Sequence, residues 1–515
     1  MGVFNWRTVY IISIAAKVFV CLQCSYIHPD EHFQSFQPIA KLVYGSSVAN
    51  PWEFEPESSA RSFAPLLIFY YPIIQLVKYF QLPLITAYYF VRLEFTLITW
   101  MVTDWTLWRI MPTKPERVKS LLFTSTSFVT LVYQSHAFSN SVETWLVLGA
   151  VYIMGRFREE CEIAKNSRIS NLAQYCLAYG CIVSAGIFNR VTFVGWLVFP
   201  GIFVLKFFQK SPISLVYTAA GFLTTSLACV VLDTWMFTGT IDWSNLVVTP
   251  LNNLLYNLDS ENLSQHGIHS RLTHLLVNVP LMLGPALVFL IGSKYYKTVP
   301  FMSAISGILT LSLVPHQEFR FIIPAMPLLA CCMDLSSEKK KVTKYALRLF
   351  IVYNVVMTAF FGSLHQGGIV TVMEQLTKPD NALTGSSDLQ IWWRTYSPPV
   401  WLYGHQNLQV LNRIDHNLKD LNILSESDSN GLTIVDAMGS SFDVIVNLLG
   451  QRPGILISPI ASAENELSDA LKDRNLVLKR KWKTWLHLDM DHFDTTYGWK
   501  TFTPGLAVYE VVESS

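Results

Sequence analysis

The chain has 515 residues, of which 51% are hydrophobic and 15% charged, with 38 basic against 37 acidic side chains. A mean hydropathy of +0.33 with so few charges points to a multi-spanning membrane protein and excludes an ordinary soluble enzyme. A formal net charge of +1 leaves no case for a nucleic-acid partner.

The first apolar segment runs from about Val9 to Tyr26. It is long for a signal-peptide core and lacks a small-residue cleavage site, so it reads as a retained anchor. Directly after it comes HPDEHFQSFQ, His28 to Gln37. The adjacent carboxylates Asp30 and Glu31, flanked by His28 and His32, stand where the chain leaves the bilayer. Two readings stay open for this cluster. A carboxylate beside a second one at a membrane edge can serve as a general base toward a sugar hydroxyl. Alternatively, Pro29, Asp30 and Glu31 are good first-turn residues of a solvated helix start.

The loop 27–62 is acidic and is expected to be luminal. At its end Arg61, in EPESSARSF, either meets a lipid phosphate or snorkels to the interface. Further apolar runs fall near 63–80, 84–108, 119–134, 140–155, 172–188, 191–208, 213–232, 272–292, 298–314, 319–335 and 344–362. They predict about ten to twelve helices. Basic residues gather at 156–168, at Lys206 and Lys210, at Lys294 and Lys297, and at 338–344, which places those loops in the cytosol. The loop Arg109–Lys119 is basic too. Two full crossings between it and the luminal loop 27–62 would put both on one side. Residues 63–108 must therefore cross an odd number of times, or include a half-buried segment.

Asn189-Arg190 sits at a luminal edge between two runs. The luminal stretch Asp233–His274 mixes amides, aromatics and histidines, among them Asp242, Trp243, Asn252, Tyr256, His266, His269, Arg271 and His274, which suit carbohydrate or phosphate contacts. It also holds an N-glycosylation sequon at Asn262-Leu-Ser264. Between two later runs lies PHQEFRF, Pro315 to Phe321. There Arg320 needs a partner, either Glu318 or a phosphate. The bland alternative is a structural ion pair joining two helix ends.

The eight cysteines form no disulfide framework and read as small packing residues. From 363 to 515 the composition changes to short β-rich runs at Leu432–Ala437, Gly454–Ser458, Trp485–Leu488 and Leu506–Val512, with a helix-like stretch at Ser462–Arg474. This predicts a small C-terminal luminal α/β domain after a transmembrane module at 1–362. Asp489-Met490-Asp491 resembles a nucleotide-sugar metal site only superficially.

HPDEHFQ at 28–34, the stretch at 138–144, HGIHSRLTHLLVN at 266–278 and HQEFRF at 316–321 together resemble the membrane-embedded mannosyltransferases that use dolichyl phosphate mannose (glycosyltransferase family 22). Within that class, the stretches at 51–72 and 266–278 are most similar to the fungal enzymes that add the fourth mannose of the glycosylphosphatidylinositol (GPI) core. Gln317 departs from the pattern, since many members carry Lys there. The resemblance implies a polytopic α-helical GT-C glycosyltransferase fold in the endoplasmic reticulum membrane, with a luminal site. The donor would be dolichyl phosphate mannose, the acceptor a GPI glycolipid, and the product an α-1,2-linked mannose formed with inversion. Asp30 would be the base and Glu31 its orienting partner. His28, His32, Arg61, His269, Arg271, His316, Glu318 and Arg320 would bind donor phosphate or substrate. No cofactor and no obligatory metal are implied. A sister enzyme acting on the third GPI mannose step or on lipid-linked oligosaccharide is the nearest alternative. A lipid transporter or scramblase, or a non-catalytic subunit, comes from another class. Ionisable residues concentrated at loop edges rather than within the spans favour an interfacial enzyme over a transporter.

Overall fold

A computed structural model describes residues 5–163, 172–258, 269–336, 340–378, 383, 388–404, 407–420, 423–424, 431–452, 454–472, 476–492 and 495–513. The sequon at 262–264 and His266 lie outside the described residues. Chain contacts divide the protein into two compact units, each discontinuous in sequence. The first is Met1–Cys21, Trp52–Phe69 and Val91–Val356; the second is Leu22–Pro51, Tyr70–Phe90 and Met357–Ser515. The composition change expected near 363 falls close to the last passage from one unit to the other, and the second unit also takes in 22–51 and 70–90.

The first unit is helical. Ile213–Thr238 is long and apolar enough to cross a membrane, and so is Val342–Leu364, which runs on into the second unit. Ile85–Ile110 and Ser139–Ile163 are as long, at 26 and 25 residues, but carry several charges. Other apolar runs are broken where the sequence cannot continue an α-helix. The run at 272–292 opens with a π-helical turn, His274–Asn278, and becomes a tight 3₁₀ segment at Gly284–Phe289. There Gly284 takes a left-handed φ of +50° and Pro285 follows. The run at 63–80 divides into Ala64–Phe69 and Tyr71–Tyr79, with Pro72 opening the second piece. Helices of 6 and 9 residues fall far short of the ~20 needed to span a bilayer.

Two helices, Ala173–Asn189 and Ile213–Thr238, approach each other backbone to backbone. A Cβ on Gly180 would lie 2.0 Å from the Thr218 carbonyl oxygen, and one on Gly221 would lie 2.2 Å from that of Leu177. Ser184 and Ser226 hydroxyls pair across the same seam at 2.8 Å, the small-residue packing typical of membrane helices. All eight cysteines are free, and five of them are buried, as packing residues should be.

The second unit is built on a six-stranded sheet. Its strands are β1 (Leu389–Trp393), β2 (Leu408–Asn412), β3 (Leu432–Met438), β4 (Ile455–Pro459), β5 (Leu476–Thr484) and β6 (Leu506–Glu513), in the order β2-β3-β1-β4-β6-β5. β2, β3, β1 and β4 run parallel; β6 and β5 add an antiparallel edge. Helix Phe442–Gln451 makes the β3-to-β4 crossover and buries Ile445, Leu448 and Leu449 with Trp393, Val435 and Leu456 in one core. The strand expected at Trp485–Leu488 is a correction: the strand is β5, just before it. Lys479, Arg480, Lys481 and Lys483 hide its alternation, and charge of this kind suits an exposed edge. Trp485 and Leu486 are exposed.

Candidate active site

In the second unit the chain enters a helix at the acid pair. Pro29 accepts the first helical N–H bonds, from His32 at 2.9 Å and Phe33 at 3.0 Å. Asp30 and Glu31 thus lie in the first turn, where negative charge opposes the helix dipole favourably. The next turn, His32–Phe36, is π-helical, a distortion frequent at functional sites. Gln37–Tyr44 continues as α-helix and ends at Gly45, whose φ is +69°.

The two carboxylates differ. Asp30 keeps 24% of its side chain exposed, whereas Glu31 has no exposed surface. His28 is part-exposed; its Nδ1 accepts the Asp30 backbone N–H at 3.2 Å and lies 3.6 Å from the Asp30 carboxylate. The solvated-helix-start reading therefore holds for the helix start and fails for the solvation of Glu31. His32 is fully buried in an aromatic box. Ring centroids of Tyr26, Tyr88 and Trp401 lie 4.7, 5.2 and 6.1 Å from it. The Trp401 indole N–H donates to His32 Nδ1 at 3.1 Å, which leaves the ring proton on Nε2.

This box depends on the C-terminal part of the chain. Tyr396 follows the carboxyl end of β1 and packs on Tyr26 at 5.8 Å and on His28 at 6.5 Å. Its hydroxyl lies 3.4 Å from His365 Nε2. Tyr26 in turn donates to the Ser397 carbonyl at 2.7 Å. Burial lowers the His365 pKa, against the attraction of Asp491 and Asp489. Burial likewise raises the Asp436 carboxyl, at the end of β3, to about 6. Asp489 accepts from His492, Gln366 and its own loop at Asp491.

In the first unit, three arginines gather with three glutamates. Arg320 is 5% exposed and donates to Glu318 through Nε. Glu318 also pairs with His316 Nε2 at 2.6 Å. Arg190 Nε lies 3.3 Å from Glu143, and its Nη1 donates to Ser139 Oγ at 3.2 Å. Phe321 sits under both guanidiniums, 5.0 Å from Arg190 and 5.4 Å from Arg320. Arg61 Nε lies 3.7 Å from Glu53. Burial, together with repulsion from Arg61 and Arg320, lowers the Arg190 pKa to about 10, while Glu143 opposes the shift. Arg190 thus stays charged at neutral pH. The Arg61 side chain is 20% exposed and turned to Glu53.

The stretch 233–274 divides between bracing and exposure. Asp233 is buried and accepts from Ser62, the Phe63 backbone and Thr249. Asn252 donates to Ser59, and Tyr256 stacks on Trp52 at 4.1 Å. These residues hold the loop 52–63 that carries Arg61. Asp242 and Trp243 are exposed, as are His269 and Arg271. His269 nonetheless ties back to the PHQEFRF loop: its N–H donates to Pro315 at 2.9 Å, and its ring lies 5.8 Å from His316. Gln317 is buried and fully used. Its oxygen accepts from His274 N–H at 2.9 Å, and its amide donates to the Ser312 carbonyl at 3.0 Å. Position 317 locks the loop and contributes no charge.

Arg190 and Glu143 are central to the cluster, and neither stands out in the sequence. The available signal was a charge at the border of an apolar run in each case. Tyr396 and Trp401 carried no motif.

The sequence matches the Alg9-like mannosyltransferase family over residues 8–405. It is 40% identical to GPI mannosyltransferase 4 of Debaryomyces hansenii over 99% of both chains. It is 38% identical to GPI mannosyltransferase 4 of Candida albicans, again over 99% of both. Among solved structures it is similar to ArnT from Cupriavidus metallidurans bound to undecaprenyl phosphate, with a TM-score of 0.47 and 10% identity over 98% of both chains. With a family match over more than half its length and relatives at this identity from end to end, the chain belongs to the Alg9-like mannosyltransferase family.

Proposed function

We propose that this protein transfers mannose from dolichyl phosphate mannose to the third mannose of a GPI precursor, forming an α-1,2 linkage with inversion, on the luminal side of the endoplasmic reticulum membrane. The asymmetry of the acid pair carries the reading: Asp30 is accessible at 24% exposure while Glu31 is sealed. An inverting transfer needs one accessible base. End-to-end similarity to proteins named GPI mannosyltransferase 4 supports the acceptor class.

In this mechanism Asp30 takes the proton of the acceptor 2-hydroxyl as that oxygen bonds to mannosyl C1. The bond from C1 to the phosphate oxygen breaks, and dolichyl phosphate leaves with the electron pair. A phosphate is a stable anion, so no general acid is required. Glu31 holds the first helical turn and with it the aim of Asp30. His28, beside Asp30, is assigned to substrate contact, and His32 acts through its packing. Arg320, Arg190 and Arg61, with His316, offset the charge on the leaving phosphate. A guanidinium has five N–H donors in a planar fork, which suits both a carboxylate and a phosphate partner. His269 and Arg271 are exposed and are assigned to substrate contact.

The test is transfer by purified protein from dolichyl phosphate mannose to a tri-mannosyl GPI acceptor, with a lipid-linked oligosaccharide in parallel. Transfer to the GPI acceptor alone is expected. Transfer to the oligosaccharide alone would overturn the acceptor and keep the family.

A further inference from the structure

The first unit contains a second chemical environment, remote from the arginine cluster. A cavity of about 1060 Å³ opens at the far end of helix Ser139–Ile163. Glu159, on its wall, is some four and a half turns along that helix from Glu143, or ~24 Å at 1.5 Å per residue. The volume is that of a ligand pocket, and the residues of the catalytic account do not line it.

Its charges are unevenly satisfied. Arg156 pairs with Glu159 at 2.5 Å and Arg158 with Glu162 at 2.8 Å, one turn apart on the same helix. Those four side chains cancel. Arg109 and Arg117 do not: among the described residues neither has a carboxylate within ion-pair distance. Each is instead laid near an indole ring. Arg109 lies 5.9 Å from Trp105, and Arg117 lies 5.3 Å from Trp108 with its Nε donating to the Met111 carbonyl at 2.8 Å. The remaining lining carboxylate, Asp104, is occupied by the Tyr10 hydroxyl and by the Trp100 N–H at 2.9 Å. Arg109 and Arg117 thus both line an aromatic-walled cavity without a carboxylate of their own among the described residues.

The apolar surface continues from there. Tyr10 on helix Trp6–Cys21 and Trp105 on helix Ile85–Ile110 line the cavity. The same helices expose Ile11 and Ile12, and Leu97 and Met101. A headgroup seated at Arg109 and Arg117 would leave its acyl chains beside these residues.

We infer that this cavity binds the headgroup of an anionic membrane phospholipid, with the phosphate between Arg109 and Arg117 and the first carbons of the lipid against Trp105 and Trp108. Two guanidiniums fit a phosphate better than two ammonium groups would, because their planar forks match its oxygens. Indole rings at the same level suit the interface between headgroup and hydrocarbon. The site is independent of the transfer reaction proposed above.

The experiment reconstitutes the full-length protein in nanodiscs of phosphatidylcholine, with or without phosphatidic acid, and reads thermal stability and lipid retention by native mass spectrometry. Phosphatidic acid should raise the unfolding temperature and be retained. In Arg109→Gln with Arg117→Gln, its half-saturating fraction should rise roughly tenfold. Arg109 is exposed, so the single variant Arg109→Gln will fold and should show part of that loss. An equal response to phosphatidylcholine, or retention unchanged in both variants, would overturn the site. Equal stabilisation by inorganic phosphate alone would overturn the lipid assignment.

Discussion

At Asp30 and Glu31, two neighbouring carboxylates are separated by their surroundings rather than by their chemistry. Asp30→Asn leaves the first helical turn intact and removes only the accessible base. Glu31→Gln keeps a polar group of the same size in a sealed position, so it should unsettle the loop and reduce transfer less than Asp30→Asn does. Tyr396 gives a second contrast. Tyr396→Phe loses the 3.4 Å contact to His365 and should stay within about threefold of wild type. Tyr396→Ala removes the ring behind His28 and Tyr26 and should lose roughly tenfold or more, because small displacements of a catalytic group are costly. Initial rates for both, beside unfolding temperatures, check this. The acid pair was legible in the sequence because charge stands out in an apolar chain. The aromatic box was not, since Trp401 contacts His32 across 369 residues and aromatics are common in this chain for many reasons.

Among the elements, legibility followed sequence continuity. Ile213–Thr238 is an unbroken apolar run and was readable as such. The run at 272–292 was read as one helix, yet the π-helical turn at His274 and the left-handed Gly284 divide it. β4 and β6 were readable as apolar runs, while β5 was masked by four basic residues. The tightest helix contact rests on glycine. Gly180→Val or Gly221→Val puts methyl groups into a carbonyl only about 2 Å from the would-be Cβ, so the two helices must separate. We expect a loss of roughly 2–3 kcal/mol, measured as a lowered unfolding temperature, with Gly180→Ala less severe than Gly180→Val.

For the whole molecule, the consequential feature is that 22–51 share a compact unit with 357–515. The tail is not an appendage to the acid pair: Tyr396, Ser397 and Trp401 help to wall it. A chain ending at 362 should therefore lose transfer even if its helices fold, which circular dichroism and the transfer assay together would show. The same unit should be acid-sensitive. His487 is fully buried, and burial lowers its pKa to about 4 from the ordinary 6.5. Protonation is thus harder in the folded state, so the contribution of His487 is fully present above pH 6.5 and is lost as pH falls toward 4. It is on the order of 3 kcal/mol. The raised Asp436 works in the opposite direction over about pH 4 to 6. His487→Gln should flatten the acid limb of a stability–pH curve, and Asp436→Asn should steepen it. The most direct test of the account is the transfer rate of Asp30→Asn, measured with dolichyl phosphate mannose and a tri-mannosyl GPI acceptor on protein whose unfolding temperature matches wild type. A fall of about 10³-fold or more is expected. A folded Asp30→Asn protein that retains activity within tenfold of wild type would contradict the assignment of Asp30 as the base.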